Sequence, residues 1–166
     1  MNQDILCICY SRTGKTKEAM ERVARELDAE LVFLSDHIKR TGLLGFFRCG
    51  LDAMSKRTSA PILEETKRHL HRYRLVILGT PVWAGRCSSV MRAFLKRHGE
   101  EIENAAYLIT HKSEETYTDV FRQMDRYIRK EHIAEASLCP DAVGYEFWLD
   151  QFFKNCIAFL ESETEQ

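Results

Sequence analysis

The chain has 166 residues, the length of one domain, which we place at residues 1–166. Hydrophobic residues make up 45% of it and charged residues 30%, a balance that indicates a globular protein and excludes a collagen-like or low-complexity chain. The formal net charge of −1 excludes a wholly basic nucleic-acid-binding protein, and we expect no nucleic-acid partner. This near-neutrality hides an asymmetry, because residues 1–99 hold 18 basic and 10 acidic residues, whereas residues 100–166 hold 6 basic and 15 acidic ones.

Membrane and secretory signals are not evident in the sequence. No apolar run approaches the roughly 18–20 residues of a membrane-spanning helix, so we expect no membrane span. The start, Met-Asn-Gln-Asp, lacks the basic region of a secretory signal. None of the six cysteines has CxxC or zinc-finger spacing, and Cys7 and Cys9 alternate in one apolar run. We therefore expect buried, reduced thiols and a cytoplasmic location.

The first half of the chain alternates between predicted strands and helices. A short apolar run predicts a first strand at Ile5–Cys9, and apolar residues at steps of three and four predict a helix from about Thr16 to Leu27. Further apolar runs predict strands at Glu30–Leu34 and Leu75–Gly79. The helix that follows is marked by Val90, Met91, Phe94 and Leu95.

The second half continues the alternation. Strands are predicted at Ala105–Thr110 and Ile133–Cys139. Apolar stripes mark a helix after each of them: Val120, Phe121, Met124, Tyr127 and Ile128 for the first, and Leu149, Phe152, Phe153, Cys156, Ile157 and Leu160 for the second. Because such strand–helix–strand units make right-handed crossovers, the sequence predicts a doubly wound, five-stranded parallel sheet in a three-layer α/β sandwich.

Residues 41–61 break this alternation. Their apolar side chains cluster without a helical or strand period. An exposed apolar flap, an interface segment and a short buried helix would all have such a sequence, and these alternatives stay open.

Polar and basic residues lie between the first strand and the first helix. A loop in this place points backbone N–H groups at whatever lies above the strand end, which suits a phosphate. Gly14 permits close backbone approach, and the neighbouring side chains add hydroxyl and cationic donors: Ser11, Arg12, Thr13, Lys15 and Thr16. The spacing is that of neither a Walker loop nor a dinucleotide-binding fingerprint. A helix start capped by Ser and Thr explains the segment equally well.

Residues 8–16, Ile-Cys-Tyr-Ser-Arg-Thr-Gly-Lys-Thr, followed by Ala19 and Val23, resemble the FMN-phosphate motif of the flavodoxin family. Residues 78–86, Leu-Gly-Thr-Pro-Val-Trp-Ala-Gly-Arg, follow the third strand, where flavodoxin-like proteins place a loop beside the isoalloxazine ring. The 42–57 segment also resembles a stretch of some members. The resemblance implies the strand order 2-1-3-4-5, so both motifs lie at the switch point between strands 1 and 3.

The resemblance implies that FMN is the cofactor, with its phosphate held by residues 11–16 and its ring beside Thr80, Pro81, Val82, Trp83, Ala84 and Gly85. Trp83 has a large π face for stacking on the ring, and packing into the core is the alternative. Cys87 stands close to a predicted helix N-terminus, which lowers the pKa of a thiol. An inert structural thiol is the simpler interpretation of Cys87.

The third loop of the site departs from the family pattern. Relatives commonly have glycine there, whereas this chain has Thr-His-Lys-Ser-Glu-Glu at 110–115. We hypothesise that His111 or Lys112 reaches the N1–O2 edge of the ring, where positive charge stabilises the reduced flavin and raises its midpoint potential. The alternative is that both side chains project into solvent.

No catalytic side chain and no metal site is predicted, because FMN carries the electron chemistry and the sequence has no Ser/His/Asp arrangement, HExxH motif or metal-ligand cluster.

The main expectation is an FMN-binding, flavodoxin-like electron-transfer protein that docks on a redox partner protein. The alternative is an FMN-dependent NAD(P)H:quinone-type reductase, with 42–57 as the flap of a homodimer. The second alternative is an interaction module of the same fold that binds no flavin. Flavodoxin-type carriers are strongly acidic, unlike this chain, and its basic segments suit a phosphorylated nicotinamide or an acidic partner.

Overall fold

The computed structural model describes residues 2–35, 62–63, 69–113 and 115–163. Seven strands and four helices follow one another along these residues, with 3-10 turns at Leu70–Arg72 and Gly99–Glu101. The strands are β1 (Asn2–Cys9), β2 (Ala29–Ser35), β3 (Ile62–Leu63), β4 (Leu75–Trp83), β5 (Arg86–Cys87), β6 (Ala105–Thr110) and β7 (Ala134–Leu138). The helices are α1 (Lys15–Glu26), α2 (Ser89–His98), α3 (Thr118–Asp125) and α4 (Tyr145–Ser162).

Five parallel strands form the centre of the sheet in the order β2-β1-β4-β6-β7. These are the five predicted strands in the predicted order 2-1-3-4-5, so the flavodoxin-like fold is confirmed. Two short antiparallel strands extend it: β3 pairs with the end of β2, and β5 pairs with the end of β4. Neither of these short strands was predicted from the sequence.

Alternate residues of β1 face opposite layers of the molecule. Cys7 and Cys9 lie in a core cluster with residues of α1 and α4, whereas Leu6 and Ile8 lie in a cluster with residues of α2 and α3. The helices therefore cover both faces of the sheet. Burial raises the pKa of Cys9 and Cys156 to about 12, so these core thiols stay protonated.

Some predicted boundaries differ from the structure. The third predicted strand continues from Gly79 to Trp83, and the helix predicted through Ile128 ends at Asp125. Residues 41–61, with the predicted flap at 42–57, lie outside the described residues. No helix among the described residues is long and apolar enough to cross a membrane.

Gly79 gives α1 room to pack on the sheet. A Cβ at this position would overlap the side chain of Met20, which is completely buried in α1. We expect Gly79→Ala to lower the free energy of unfolding by about 1–3 kcal/mol, because the core has no space for the added methyl group. Chemical denaturation measures this. Gly144→Ala is the matched control, since a Cβ there would only reach ordinary contact, 3.4 Å, with the Trp148 ring, and it is expected to change stability by less than about 0.5 kcal/mol.

Candidate functional site

A cavity of about 510 Å³ opens at the carboxyl ends of the parallel strands. It lies between the segments that follow β1 and β4, where the strand order reverses, and this is the usual place for a ligand in a doubly wound sheet. Its volume is within the range of small-molecule and cofactor sites. The cavity is lined by Arg12, Thr13, Lys15, Thr16, Pro81, Val82, Trp83, Ala84, Gly85, Thr110, His111, Lys112, Ser113, Tyr117, Pro140 and Asp141.

The loop between β1 and α1 presents a helix N-terminus to this cavity. Gly14 is the N-cap residue of α1 with a φ of 95°, and no side chain caps the helix. The first-turn N–H groups therefore lack the usual side-chain acceptor, and an anion near them would be stabilised by the helix dipole. Arg12 and Lys15 line the same end of the cavity. These features fit the phosphate of FMN.

The hydroxyl groups of this loop are mostly engaged within the protein. The backbone N–H of Gly14 donates to Ser11 Oγ at 3.1 Å, and Ser11 does not line the cavity. Thr16 Oγ1 lies 2.7 Å from Thr110 Oγ1, and both residues are buried. Ser11 therefore shapes the loop, and Thr16 ties α1 to β6. Thr13, which is exposed and lines the cavity, is the hydroxyl best placed for a ligand.

The predicted ring loop at 80–86 is a tight hairpin. Val82 pairs with Cys87 and Trp83 with Arg86, which leaves Ala84 and Gly85 as the two turn residues. Their φ angles are 47° and 69°, and positive φ at both central residues is the mark of a type I′ turn. Gln123 Nε2 of α3 donates to the carbonyl oxygen of Gly85 at 3.1 Å. The turn of the hairpin is thus tied to α3.

Thr80 lies behind the cavity wall. It is completely buried and does not line the cavity. Its hydroxyl accepts from the backbone N–H of Ser88 at 3.1 Å and lies 3.0 Å from Ser88 Oγ. Ser88 in turn accepts from the N–H of Met91 and caps α2. Thr80 therefore joins the hairpin to α2 and positions the cavity wall from behind.

Trp83 packs largely into the core. It is 6% exposed, and its ring meets the Tyr10 ring edge-on, with 5.6 Å between centroids and an angle of 86°. It also contributes to the cavity lining. The structure favours the core-packing interpretation, which leaves a small part of the side chain available to a ligand.

His111 is held in one tautomer by its neighbours. Its Nδ1 lies 2.6 Å from the carbonyl oxygen of Ser113, and because a carbonyl only accepts, Nδ1 carries the proton. Its Nε2 lies 2.8 Å from Ser137 Oγ, which then donates to it. Burial lowers the pKa of His111, so the ring is neutral near pH 7. The cation that this loop offers to the cavity is the exposed Lys112.

Side chains brace this glycine-free loop. Tyr117 Oη lies 2.8 Å from Ser113 Oγ, and its ring centroid lies 4.8 Å from that of His111. The Cys139 thiol donates to the carbonyl oxygen of Lys112 at 3.6 Å. The third wall is therefore built from hydrogen-bonded side chains.

Five lining residues were not among the sequence candidates: Thr110 and Ser113, which flank His111 and Lys112, and Tyr117, Pro140 and Asp141. Pro140 and Asp141 follow β7, and the rule that ligands lie beyond the carboxyl ends of parallel strands could have found them. Tyr117 precedes α3, and nothing in the sequence sets it apart from a core aromatic.

The structure favours the inert interpretation of Cys87 over a thiol whose pKa is lowered by a helix N-terminus. Burial raises the pKa of Cys87 to about 11, and the nearby Arg92 offsets only part of this effect. The thiol is 2% exposed, so it stays protonated and packed. Among the described residues no group of three His, Cys, Asp or Glu side chains is placed to hold a metal ion.

A sequence model of the NADPH-dependent FMN reductase family matches residues 5–111. The chain belongs to this FMN reductase family. The match spans β1 to β6, and so both predicted FMN motifs. It confirms a flavodoxin-like FMN-binding protein of an oxidoreductase family, with FMN as its cofactor. No curated protein matches the chain.

Several solved structures are similar to the chain in fold. A flavoprotein from Lactobacillus acidophilus in complex with FMN is 21% identical with a TM-score of 0.64, over 88% of this chain and 98% of that one. A protein from Bacteroides uniformis, assigned as a flavoprotein, is 19% identical with a TM-score of 0.73, over 93% and 99%. An NAD(P)H:quinone oxidoreductase from Methanothermobacter marburgensis is 15% identical with a TM-score of 0.54, over 97% and 98%. At these identities the likeness concerns the fold.

Proposed function

We propose that this chain is an FMN-dependent reductase that takes electrons from NADPH and passes them to a small acceptor of the quinone type. The observation that supports this most is the cavity at the switch point, which has an uncapped helix N-terminus at one end and a tight hairpin at the other. The family is NADPH-dependent, which favours a nicotinamide as the electron donor.

FMN supplies the redox chemistry when bound, and the protein residues bind and orient it. We assign the phosphate to the first-turn N–H groups of α1 together with Arg12, Thr13 and Lys15. The ring then lies between the hairpin residues and the braced third loop, where Pro81, Val82 and Tyr117 provide apolar wall. His111 and Ser113 fix the shape of that loop, and Lys112 places a positive charge at its rim.

The charges around the cavity favour a phosphorylated donor. Among the described residues that line it, three are cations, Arg12, Lys15 and Lys112, and one is an acid, Asp141. A net positive cavity attracts both the FMN phosphate and a nicotinamide that carries an extra phosphate. The same charge suits an acidic redox partner.

A surface beside the cavity keeps the electron-carrier function as the second candidate. Val143 is fully exposed and Phe147 and Trp148 are more than half exposed, directly after the lining residues Pro140 and Asp141. Exposed apolar patches of this kind are typical of protein docking sites. The two candidate partners for this surface are a redox partner protein and a second copy of the chain, with which it would form a homodimer. The buried free thiols suit a cytoplasmic location.

Anaerobic mixing with NADPH tests the reductase proposal. The FMN-loaded protein is expected to lose its visible flavin absorbance within seconds when NADPH is added, and more slowly with NADH at equal concentration. Dithionite serves as the positive control for reduction, and later addition of a quinone is expected to restore the absorbance. Bleaching by dithionite with none by NADPH or NADH would assign the protein to the carrier class. A purified protein that shows no flavin bands and takes up no added FMN would contradict both.

A further inference from the structure

His111 is built into the cavity wall by contacts that leave one ring nitrogen able to gain a proton. Nδ1 is committed as a donor to the carbonyl of Ser113, and the backbone N–H of His111 donates to the carbonyl of Leu138 at 3.0 Å. Nε2 faces the hydroxyl of Ser137 at 2.8 Å. Both ring nitrogens are therefore hydrogen-bonded, and the backbone at His111 is held to the end of β7.

The partner of Nε2 is a hydroxyl, which can form a hydrogen bond with this nitrogen whether or not the nitrogen carries a proton. A hydroxyl donates to a neutral Nε2, and after rotation about its C–O bond it accepts from a protonated one. The distance of 2.8 Å suits both arrangements. Gain of a proton at Nε2 thus requires rotation of one hydroxyl and no movement of the loop.

We propose that Nε2 of His111 takes up a proton when FMN in this cavity is reduced, and that it releases the proton when FMN is reoxidised. This rests on the proposed placement of FMN. With the oxidised cofactor the imidazole is neutral, and the added negative charge of the reduced form favours the charged imidazolium. His111 is then a positioning residue that also compensates charge.

Hydride transfer to the cofactor and protonation of Nε2 together take up two electrons and two protons. Two electrons and one proton reach the cofactor as the hydride of the nicotinamide donor. A second proton passes from solvent to the lone pair of Nε2, where it forms an N–H bond. When the acceptor takes the two electrons and one proton from the cofactor as a hydride, this N–H bond breaks and the second proton returns to solvent.

The groups around His111 set the size of this effect. The charged described residues that share the cavity are Lys112, Arg12 and Lys15, which oppose protonation, and Asp141, which favours it. The Tyr117 ring packs against the imidazole, with 4.8 Å between the ring centroids and an angle of 55° between the planes. The Cys139 thiol is bonded to the carbonyl of Lys112. Burial keeps the oxidised-state ring neutral, because it lowers the pKa of His111.

Nitrogen NMR of the histidine rings tests the proposal in the intact protein with FMN bound. The signals of His111 are assigned by their loss in His111→Gln. At pH 7 the oxidised protein is expected to show a neutral ring with the proton on Nδ1, and reduction by dithionite is expected to give a ring protonated on both nitrogens. A ring that stays neutral after reduction, or one already charged in the oxidised protein, would overturn the proposal. Failure to bind FMN would instead count against the proposed function.

The pH dependence of the two-electron potential is a second readout. Each proton taken up with two electrons adds about 30 mV per pH unit to the slope. Around neutral pH the wild type is expected to have a slope steeper by one proton than His111→Gln. His69→Gln, an exposed histidine outside the cavity, is the control and should match the wild type. Equal slopes in wild type and His111→Gln would overturn the proposal.

Ser137→Ala serves if the His111 variant does not fold. It keeps the imidazole but removes the acceptor for a protonated Nε2. In this variant we expect the pH range over which the two-electron potential has its steeper slope to move to lower pH. An unchanged pH range would contradict the role given to the Ser137 hydroxyl.

Discussion

Gly14→Ala is expected to weaken FMN binding about ten- to a hundredfold. Residue 14 has a φ of 95°, and a side chain there costs about 1–3 kcal/mol unless the loop changes its conformation. A Cβ at this position meets no atom within 4 Å, so the effect comes from the backbone conformation and from no steric clash. A loop that relaxes turns the first N–H groups of α1 away from the phosphate. Isothermal titration with FMN measures the loss.

Gly144→Ala is the matched control for this substitution. Residue 144 has a φ of −82°, which alanine adopts freely, and it precedes α4 at the same edge of the sheet. It is expected to bind FMN like the wild type. Unchanged FMN affinity in Gly14→Ala, with the fold intact by circular dichroism, would contradict the role assigned to the loop between β1 and α1.

Removing the two loop cations is expected to weaken binding of FMN and to leave riboflavin binding unchanged. Arg12 and Lys15 both line the cavity, and hydrogen bonds to charged groups contribute about 1.5–3 kcal/mol each. Because part of this is screened by solvent, we expect the double variant Arg12→Gln, Lys15→Gln to lose about ten- to a hundredfold in affinity for FMN. Riboflavin has the same ring without the phosphate, so its affinity reports on the rest of the site.

Lys17→Gln is the control for charge. Lys17 lies in the same helix, is exposed and pairs with Glu21 at 3.6 Å, and it does not line the cavity. It should leave FMN affinity within about twofold of the wild type. If the double variant loses riboflavin and FMN affinity equally, the phosphate does not lie at this loop.

The sheet could be predicted from sequence because its strands are apolar runs. Strands buried on both faces, such as β4 and β6, lack the alternation of a surface strand and are recognised by their composition. The crossover rule then gives the topology. The two-residue strands β3 and β5 could not be predicted, since such short pairings depend on where the neighbouring strand ends.

The ends of the elements were less predictable than their centres. β4 continues through Pro81, which gives no N–H to the sheet, and pairs with β5 beyond it. Proline within a segment normally argues against a strand there, so the sequence predicts that this strand ends at Gly79. Ala84 adopts a positive φ that is common for glycine and rare for alanine, so its identity does not indicate a tight turn in the sequence.

The candidate site was predicted by position more than by side-chain role. All fourteen candidates could be placed near one edge of the sheet without tertiary information, because they follow the predicted first, third and fourth strands, and eleven of them line the cavity. What each side chain does depends on partners distant in sequence. Thr16 meets Thr110, and His111 meets Ser137, and neither contact is visible in one sequence without the fold.

Binding of FMN in this cavity is tested by titrating the flavin-free protein with FMN and following the amide signals by NMR. We predict saturation at one FMN per chain, with the largest shifts at the N–H groups of Gly14, Gly85 and Lys112. These residues belong to three separate loops that the fold brings to one cavity. No binding at millimolar FMN, or binding that leaves these three signals unchanged, would contradict the account.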